Sequence, residues 1–194
     1  FQINPNSKAS LVSIICPKFE EHKTEADTTR SLTELRELLR TLGLKSGYQY
    51  VQTKQNLESA TMLGTGKLLE IAEKAKAEGS DLLVFDFELT ASQIRNIREL
   101  TSLSVIDRVH VILEIFSKHA RTRDAKIQIE IARLQYVLPR LSGFWSHLGR
   151  QGGGIGVRGG EGEKQIELDR RIIRQRVEFY KKELKMLSKS RDEQ

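Results

Sequence analysis

Asp81-Leu82-Leu83-Val84-Phe85-Asp86 places four consecutive apolar residues between two carboxylates. A run that short, bounded by charge, reads as a strand. Working outward, Leu68 to Lys76 on its amino side has helical spacing and ends near Gly79. On its carboxyl side Thr90 to Leu100 is a second amphipathic segment, with Thr90 placed to cap it, and Ser104-Val105-Ile106 follows as a short strand. Further back lie Tyr48-Gln49-Tyr50-Val51-Gln52, a strand, and Thr28 to Leu42, a helix with Leu32, Leu35, Leu38, Leu39 and Leu42 on one face and Gly43 at its end. Leu11-Val12-Ser13-Ile14-Ile15-Cys16 is a buried strand stopped by Pro17. Strand alternating with helix predicts an α/β subdomain over residues 1–107, a small parallel β-sheet flanked by helices.

From Asp107 the period changes. Ile112, Phe116, Ala120, Ile127, Ile131, Leu134, Leu138 and Leu141 recur at steps of three or four, with one polar interruption at Arg121-Thr122-Arg123-Asp124. Residues 163–190 repeat the pattern with Ile166, Ile173, Val177, Tyr180, Leu184 and Leu187. These are coiled-coil-like seams on helices of roughly 50 and 40 Å. Between them, residues 143–162 hold nine of the fourteen glycines. Each interior glycine costs a helix roughly 1 kcal/mol relative to alanine, so this stretch is expected to be a loop. Residues 108–194 therefore read as a long antiparallel two-helix hairpin with a Gly-rich tip loop over 143–162.

The net charge of +6 is segregated. Residues 1–107 carry 13 Lys/Arg against 15 Asp/Glu, and residues 108–194 carry 19 against 11, which gives −2 and +8. That is the footprint of a polyanion-binding element, or else of a helical hairpin made soluble by lysine and arginine. No apolar run approaches a membrane span of roughly 20 residues, and the amino end has no signal-peptide pattern. Phe1 in place of methionine reads as a trimmed start. The single cysteine, Cys16, can form neither an internal disulfide nor a zinc cluster, and the simplest compartment is a reducing cytoplasm.

Few residues suggest chemistry. Gly64-Thr65-Gly66-Lys67 resembles a phosphate loop, but Thr61 stands where the first glycine belongs and Leu68 replaces the magnesium-binding hydroxyl. Gly64, Gly66 and Lys67 remain a nucleotide candidate only as a helix amino terminus, and a turn into a helix is favoured. The four histidines show no metal-ligand spacing, and no catalytic site or resident cofactor is expected in the chain. Asp107, Arg108 and Asp169 read as packing charges, with Asp107 a helix cap. Phe144 and Trp145 could stack on exposed bases or close the hairpin's apolar seam. For Arg150, Gln151, Gly152, Gly153, Gly154, Ile155, Gly156 and Arg158 a binding role is favoured. A structural hairpin needs two to five connecting residues rather than some twenty. Arg170, Arg171, Arg174 and Arg176 would add contacts to nucleic-acid phosphates.

Several separated motifs, in order, resemble the amino-terminal region of the HflX family of ribosome-associated GTPases. Asp86-Phe87-Glu88-Leu89-Thr90-Ala91-Ser92-Gln93-Ile94-Arg95-Asn96 is similar to that family's D-E-L-S-P-x-Q-x-R-N segment. Val105-Ile106-Asp107-Arg108 with Ile112-Leu113-Glu114-Ile115-Phe116 matches V-x-D-R-x-x-x-I-L-x-I-F. Ala120-Arg121-Thr122-Arg123 and Leu138-Pro139-Arg140-Leu141 continue it. Arg150-Gln151-Gly152-Gly153-Gly154-Ile155-Gly156 and Glu163-Lys164-Gln165-Ile166-Glu167-Leu168-Asp169-Arg170-Arg171 complete it. The chain departs from R-G-P-G-E by lacking the proline and carrying one extra residue, as Arg158-Gly159-Gly160-Glu161-Gly162-Glu163. The resemblance implies a module that binds the large ribosomal subunit and its rRNA, with the tip near the peptidyl-transferase region. It also implies a GTPase domain after residue 194 that binds GTP and Mg2+, contacts this module and helps split or rescue stalled ribosomes; no G-x-x-x-x-G-K-[ST] occurs within the chain. The family's link with adenine nucleotides keeps ATP as a second ligand. Two other classes stay open: an ATP-binding or hydrolysing module built on the α/β half, and a coiled-coil protein-interaction module.

Overall fold

The computed structural model describes residues 6–141 and 159–192. Its amino-terminal part alternates β1 (Lys8–Ile15), α1 (Glu25–Leu42), β2 (Lys45–Thr53), α2 (Thr65–Ala77), β3 (Leu82–Phe85), α3 (Ala91–Thr101) and β4 (Ser104–Asp107). The strands pair in parallel in the order β2-β1-β3-β4, as the alternation predicts. α4 (Arg108–His119) follows β4 directly, then α5 (Arg123–Val137), a 3-10 turn at Leu138–Arg140 and α6 (Gly159–Asp192).

Both faces of the sheet are covered, so its central strands have no polar face. β1 sends Leu11 toward Leu35, Leu39, Ile106 and Val111 on one side, and Val12 and Ile14 toward Leu68, Phe85 and Ile97 on the other. Each such side chain removed from water contributes about 2 kcal/mol. The helix ends carry their own signals. Thr24 accepts from Asp27 N at 3.1 Å to start α1, and Gly43 ends it at φ 82°, a left-handed turn that glycine makes without strain. Gly47 is needed for space. A Cβ there would lie 2.8 Å from Ser80 Oγ and 3.0 Å from Ser10 Oγ, where those two hydroxyls bond to each other.

The chain divides into two units, Phe1–Ile115 and Phe116–Gln194. Within the second, Arg123 donates from Nε to Glu183 at 2.9 Å and Arg176 pairs with Glu130 at 3.8 Å. The lower residue number rises as the higher one falls, so α5 and α6 run antiparallel. Ile127, Tyr136 and Val177 are buried along this pair. Arg140 is buried as well, its guanidinium 3.6 Å above the Tyr136 ring and donating to the Tyr136 carbonyl at 2.7 Å.

Two expectations for the second half change. The helix predicted to run unbroken from Asp107 stops at His119 and restarts at Arg123, because the Thr122 hydroxyl accepts from Ala125 N and begins a new helix. Among the described helices only α5 pairs with α6, and it spans about 22 Å rather than 50. At the other end α6 begins at Gly159, inside the stretch expected to be loop, and is 34 residues long. Extending an existing helix adds a hydrogen bond for each residue fixed, which offsets the cost of glycine in a first turn.

Candidate functional site

In an open α/β sheet, ligands favour the crevice outside the carboxyl ends of the strands, where the connections diverge. Here that point lies between β1 and β3, because β1 is followed outward by β2 while the chain returns to its other side for β3. A cavity of about 670 Å³ opens there, with Ser31, Glu34, Asp86, Glu88 and Arg108 on its wall. Asp86 sits at the end of β3 and its backbone N–H donates to the Val12 carbonyl at 3.0 Å. Arg108 opens α4. Its Nη1 donates to Asp86 Oδ1 at 3.0 Å and to Ser31 Oγ at 3.0 Å, and its Nη2 to Glu34 at 2.6 Å. Both terminal nitrogens of the guanidinium are engaged by its own protein, so it acts as a strut between β3, α1 and α4.

The second oxygen of Asp86 faces Ser13 Oγ at 3.4 Å and His22 Nδ1 at 3.9 Å. Burial pushes the Asp86 carboxyl above the ordinary carboxylate range, against the pull of hydrogen bonds from Ser31 and Arg108 and the charge of His22. Ser, His and Asp in one cluster suggest nucleophilic catalysis, but the geometry does not support it. Ser13 and Asp86 both approach the Nδ1 side of the ring, whereas a relay needs one on each nitrogen. All three are at most 1% exposed, out of reach of a substrate.

The motif residues have structural tasks. Asp107 accepts from His110 N at 2.9 Å, capping α4 as expected, and from Leu89 N at 3.0 Å. Thr90 and Gln93 form a reciprocal capping box on α3. Gln93 also donates to the Ser59 carbonyl at 3.1 Å, and Asn96 to that of Ala60 at 3.0 Å. They tie down the loop in which Met62 holds φ 65°.

Gly64 is the residue before α2 and has no side chain to cap it; neither it nor Gly66 takes a positive φ. Lys67 is bound to Glu70 through both carboxylate oxygens, at 3.1 and 3.0 Å. The chain turns here into a helix, with the Lys67 ammonium engaged by a carboxylate of its own helix. Among the described residues no group of three His, Cys, Asp or Glu could hold a metal, and no helix is long and apolar enough to cross a membrane.

Arg170, Arg171, Arg174 and Arg176 lie on α6. Glu167 pairs with Arg170 at 3.6 Å and Arg174 at 3.4 Å, Arg176 faces α5, and Arg171 is exposed without an ion pair among the described residues. Arg171, Arg174, Lys181, Lys182 and Lys185 are all exposed and fall within an arc of about 100° on the helix. Asp169 accepts from Gln165 at 3.1 Å. The other predicted binding residues, Phe144, Trp145, Arg150, Gln151, Gly152, Gly153, Gly154, Ile155, Gly156 and Arg158, lie outside the described residues. Sequence reasoning missed the cavity and its Asp86–Arg108 strut, and also an exposed apolar stripe on α6, Leu168, Ile172, Phe179 and Met186. The last three of that stripe recur every seven residues, a signal the sequence did contain.

Residues 29–117 match the family profile described as GTP-binding GTPase N-terminal, and residues 119–194 the profile described as GTP-binding GTPase Middle Region. The GTPase HflX of Flavobacterium psychrophilum is 41% identical over 94% of the chain, and that of Spirochaeta thermophila 44% over 86%. The chain spans 43% and 41% of those two proteins, about two fifths of their length. Among solved structures, a GTP-binding protein from Sulfolobus solfataricus in complex with GDP is similar with a TM-score of 0.57 at 23% identity. The match covers 94% of this chain and 46% of that one, a likeness of fold.

Proposed function

The chain belongs to the HflX family of GTPases, and on that premise we propose that it is the ribosome-contacting region of a GTP-hydrolysing parent protein. The observation that carries this reading is charge: +8 from residue 108 onward against −2 before it, with Arg171, Arg174, Lys181, Lys182 and Lys185 outnumbering Glu167 and Glu178 on one exposed arc of α6. A helix that presents lysine and arginine in a row neutralises phosphates at a helical rise and releases their counterions. The target is the rRNA of the large subunit. Arg171 and Arg174 contact its backbone, with Arg170 beside them. Arg150, Gln151, Gly152, Gly153, Gly154, Ile155, Gly156 and Arg158 enter among its bases, where a backbone short of side chains approaches closely, and Phe144 and Trp145 stack there. GTP and Mg2+ belong to the remainder of the parent, which acts in the cytoplasm to separate stalled ribosomes.

The test is co-sedimentation of the chain with purified large and small subunits near physiological salt, beside an Arg150→Ala/Arg158→Ala variant and an Arg171→Ala/Arg174→Ala variant. Selective recovery with large subunits, lost in the first variant and weakened in the second, is expected. Equal recovery of all three proteins would end the rRNA reading. The apolar stripe on α6 favours a second reading, a helix that docks on a protein. Salt separates the two, since only the phosphate contacts weaken steeply as it rises.

A further inference from the structure

Among the described residues the outer edge of β2 has no partner strand. In the sheet order β2-β1-β3-β4 it has one neighbour, and it is nine residues long where β3 and β4 have four each. None of its residues is buried, and Tyr48 and Val51 are 64% and 43% exposed. Proteins normally blunt such an edge with lysines, prolines or short strands. From Ser46 to Thr53 this one carries no charge and no proline.

The direction of its backbone groups follows from two hydrogen bonds. Lys54 N donates to the Ile15 carbonyl at 2.9 Å, so Lys54 faces β1, and Asp86 N donates to Val12 O at 3.0 Å, so Val12 faces β3. Alternate residues of a parallel strand point their N–H and C=O groups the same way. Counting back from Lys54, Gln52 and Tyr50 bond to β1, while Thr53, Val51 and Gln49 direct their amides and carbonyls outward. The irregularity opposite Ala9 and Leu11 lies before Gln49, so this run of three is unbroken.

We propose that β2 is a homodimerisation edge, pairing antiparallel with β2 of a second copy about a two-fold axis at Val51. That register sets Val51 against Val51 and Gln49 against Thr53, and each outward amide and carbonyl of the run finds a partner, the copy's Gln49 amide joining or replacing the Gln52 Nε2 that donates to the Thr53 carbonyl at 2.9 Å. Between them Tyr50 meets Gln52, an aromatic beside an amide stem. Self-pairing brings no like charges together, because Lys54 falls opposite Tyr48. A two-fold contact of this kind closes on itself and joins two sheets into one of eight strands. A charged peptide finds no opposite charge on this strand between Ser46 and Thr53, whereas a second copy matches it residue for residue.

Analytical ultracentrifugation of the 194-residue chain over a hundredfold concentration range reads the association directly. The wild type is expected to move from monomer to dimer. Val51→Lys places a charge against its own copy and is expected to raise the dimer dissociation constant at least tenfold, with an unchanged circular-dichroism spectrum. Val51→Pro removes an amide that does not bond to β1, so it should abolish the dimer and leave the sheet intact. Amide exchange on the wild type needs no variant: the Gln49, Val51 and Thr53 amides should slow as concentration rises, and those of Tyr50 and Gln52 should not. A wild type that stays monomeric throughout, a dimer that both variants leave intact, or outward amides whose exchange ignores concentration would each overturn the proposal.

Discussion

Arg108 and Tyr50 carry the sharpest consequences at the scale of single residues. Arg108 is the only cation within 3.0 Å of the buried Asp86 carboxylate among the described contacts, and it also holds Glu34 and Ser31. Replacing it with leucine leaves a buried carboxylate without its counter-charge. The expected loss is about 3 kcal/mol, measured as a shift of the urea midpoint at constant slope. Arg108→Lys should recover only part of it, since one ammonium cannot reach all three partners. Tyr50 donates to Glu78 at 3.0 Å, and burial together with that carboxylate raises its phenol from 10.0 to about 12. The folded state holds this proton more tightly than the unfolded one. Its contribution to stability is therefore complete below pH 10.0 and is lost as the pH rises toward about 12. Subtracting the ultraviolet titration of Tyr50→Phe from that of the wild type should isolate a phenolate appearing near 12. A difference curve centred near 10 would refute the assignment.

Among elements, α3 concentrates most of the local signals. Thr90→Ala removes the cap and should cost about 1 kcal/mol in chemical denaturation. Gln93→Ala should cost more, because Gln93 also holds the Ser59 carbonyl on the neighbouring loop. That cap was legible in the sequence, as were the four strands and the Leu32, Leu35, Leu39 and Leu42 face of α1, because local spacing decides them. The break at Thr122 was present as a polar interruption, yet apolar steps on both sides favoured one long helix. The Thr122 hydroxyl settles the matter by capping α5. The extent of β2 was hidden, since Lys45, Ser46 and Gly47 have poor strand propensity and are held by pairing with β1. The site was less legible than the fold. Asp86 and Arg108 are separated by an entire helix and strand, and nothing local says that β1 and β3 are neighbours. Strand order is a property of the assembled sheet.

For the whole molecule, the segregation of charge sets how binding should respond to its medium. If the exposed arc of α6 meets phosphates, the logarithm of the association constant for large subunits falls linearly with the logarithm of salt concentration. Removing Arg171 and Arg174 together should flatten that slope by about two. A slope that the double variant leaves unchanged would assign the salt sensitivity elsewhere. The strand order has a further consequence, in the tempo of synthesis. β1 is made before either of its neighbours but occupies an interior place, and its second neighbour, β3, ends at Phe85. At about 5–20 residues per second, a ribosome takes on the order of 4–14 s to add the 70 residues between Ile15 and Phe85. For that interval the nascent chain carries an apolar strand that local pairing cannot complete. The order of synthesis thus leaves β1 waiting, one edge unpaired, until β3 has been made.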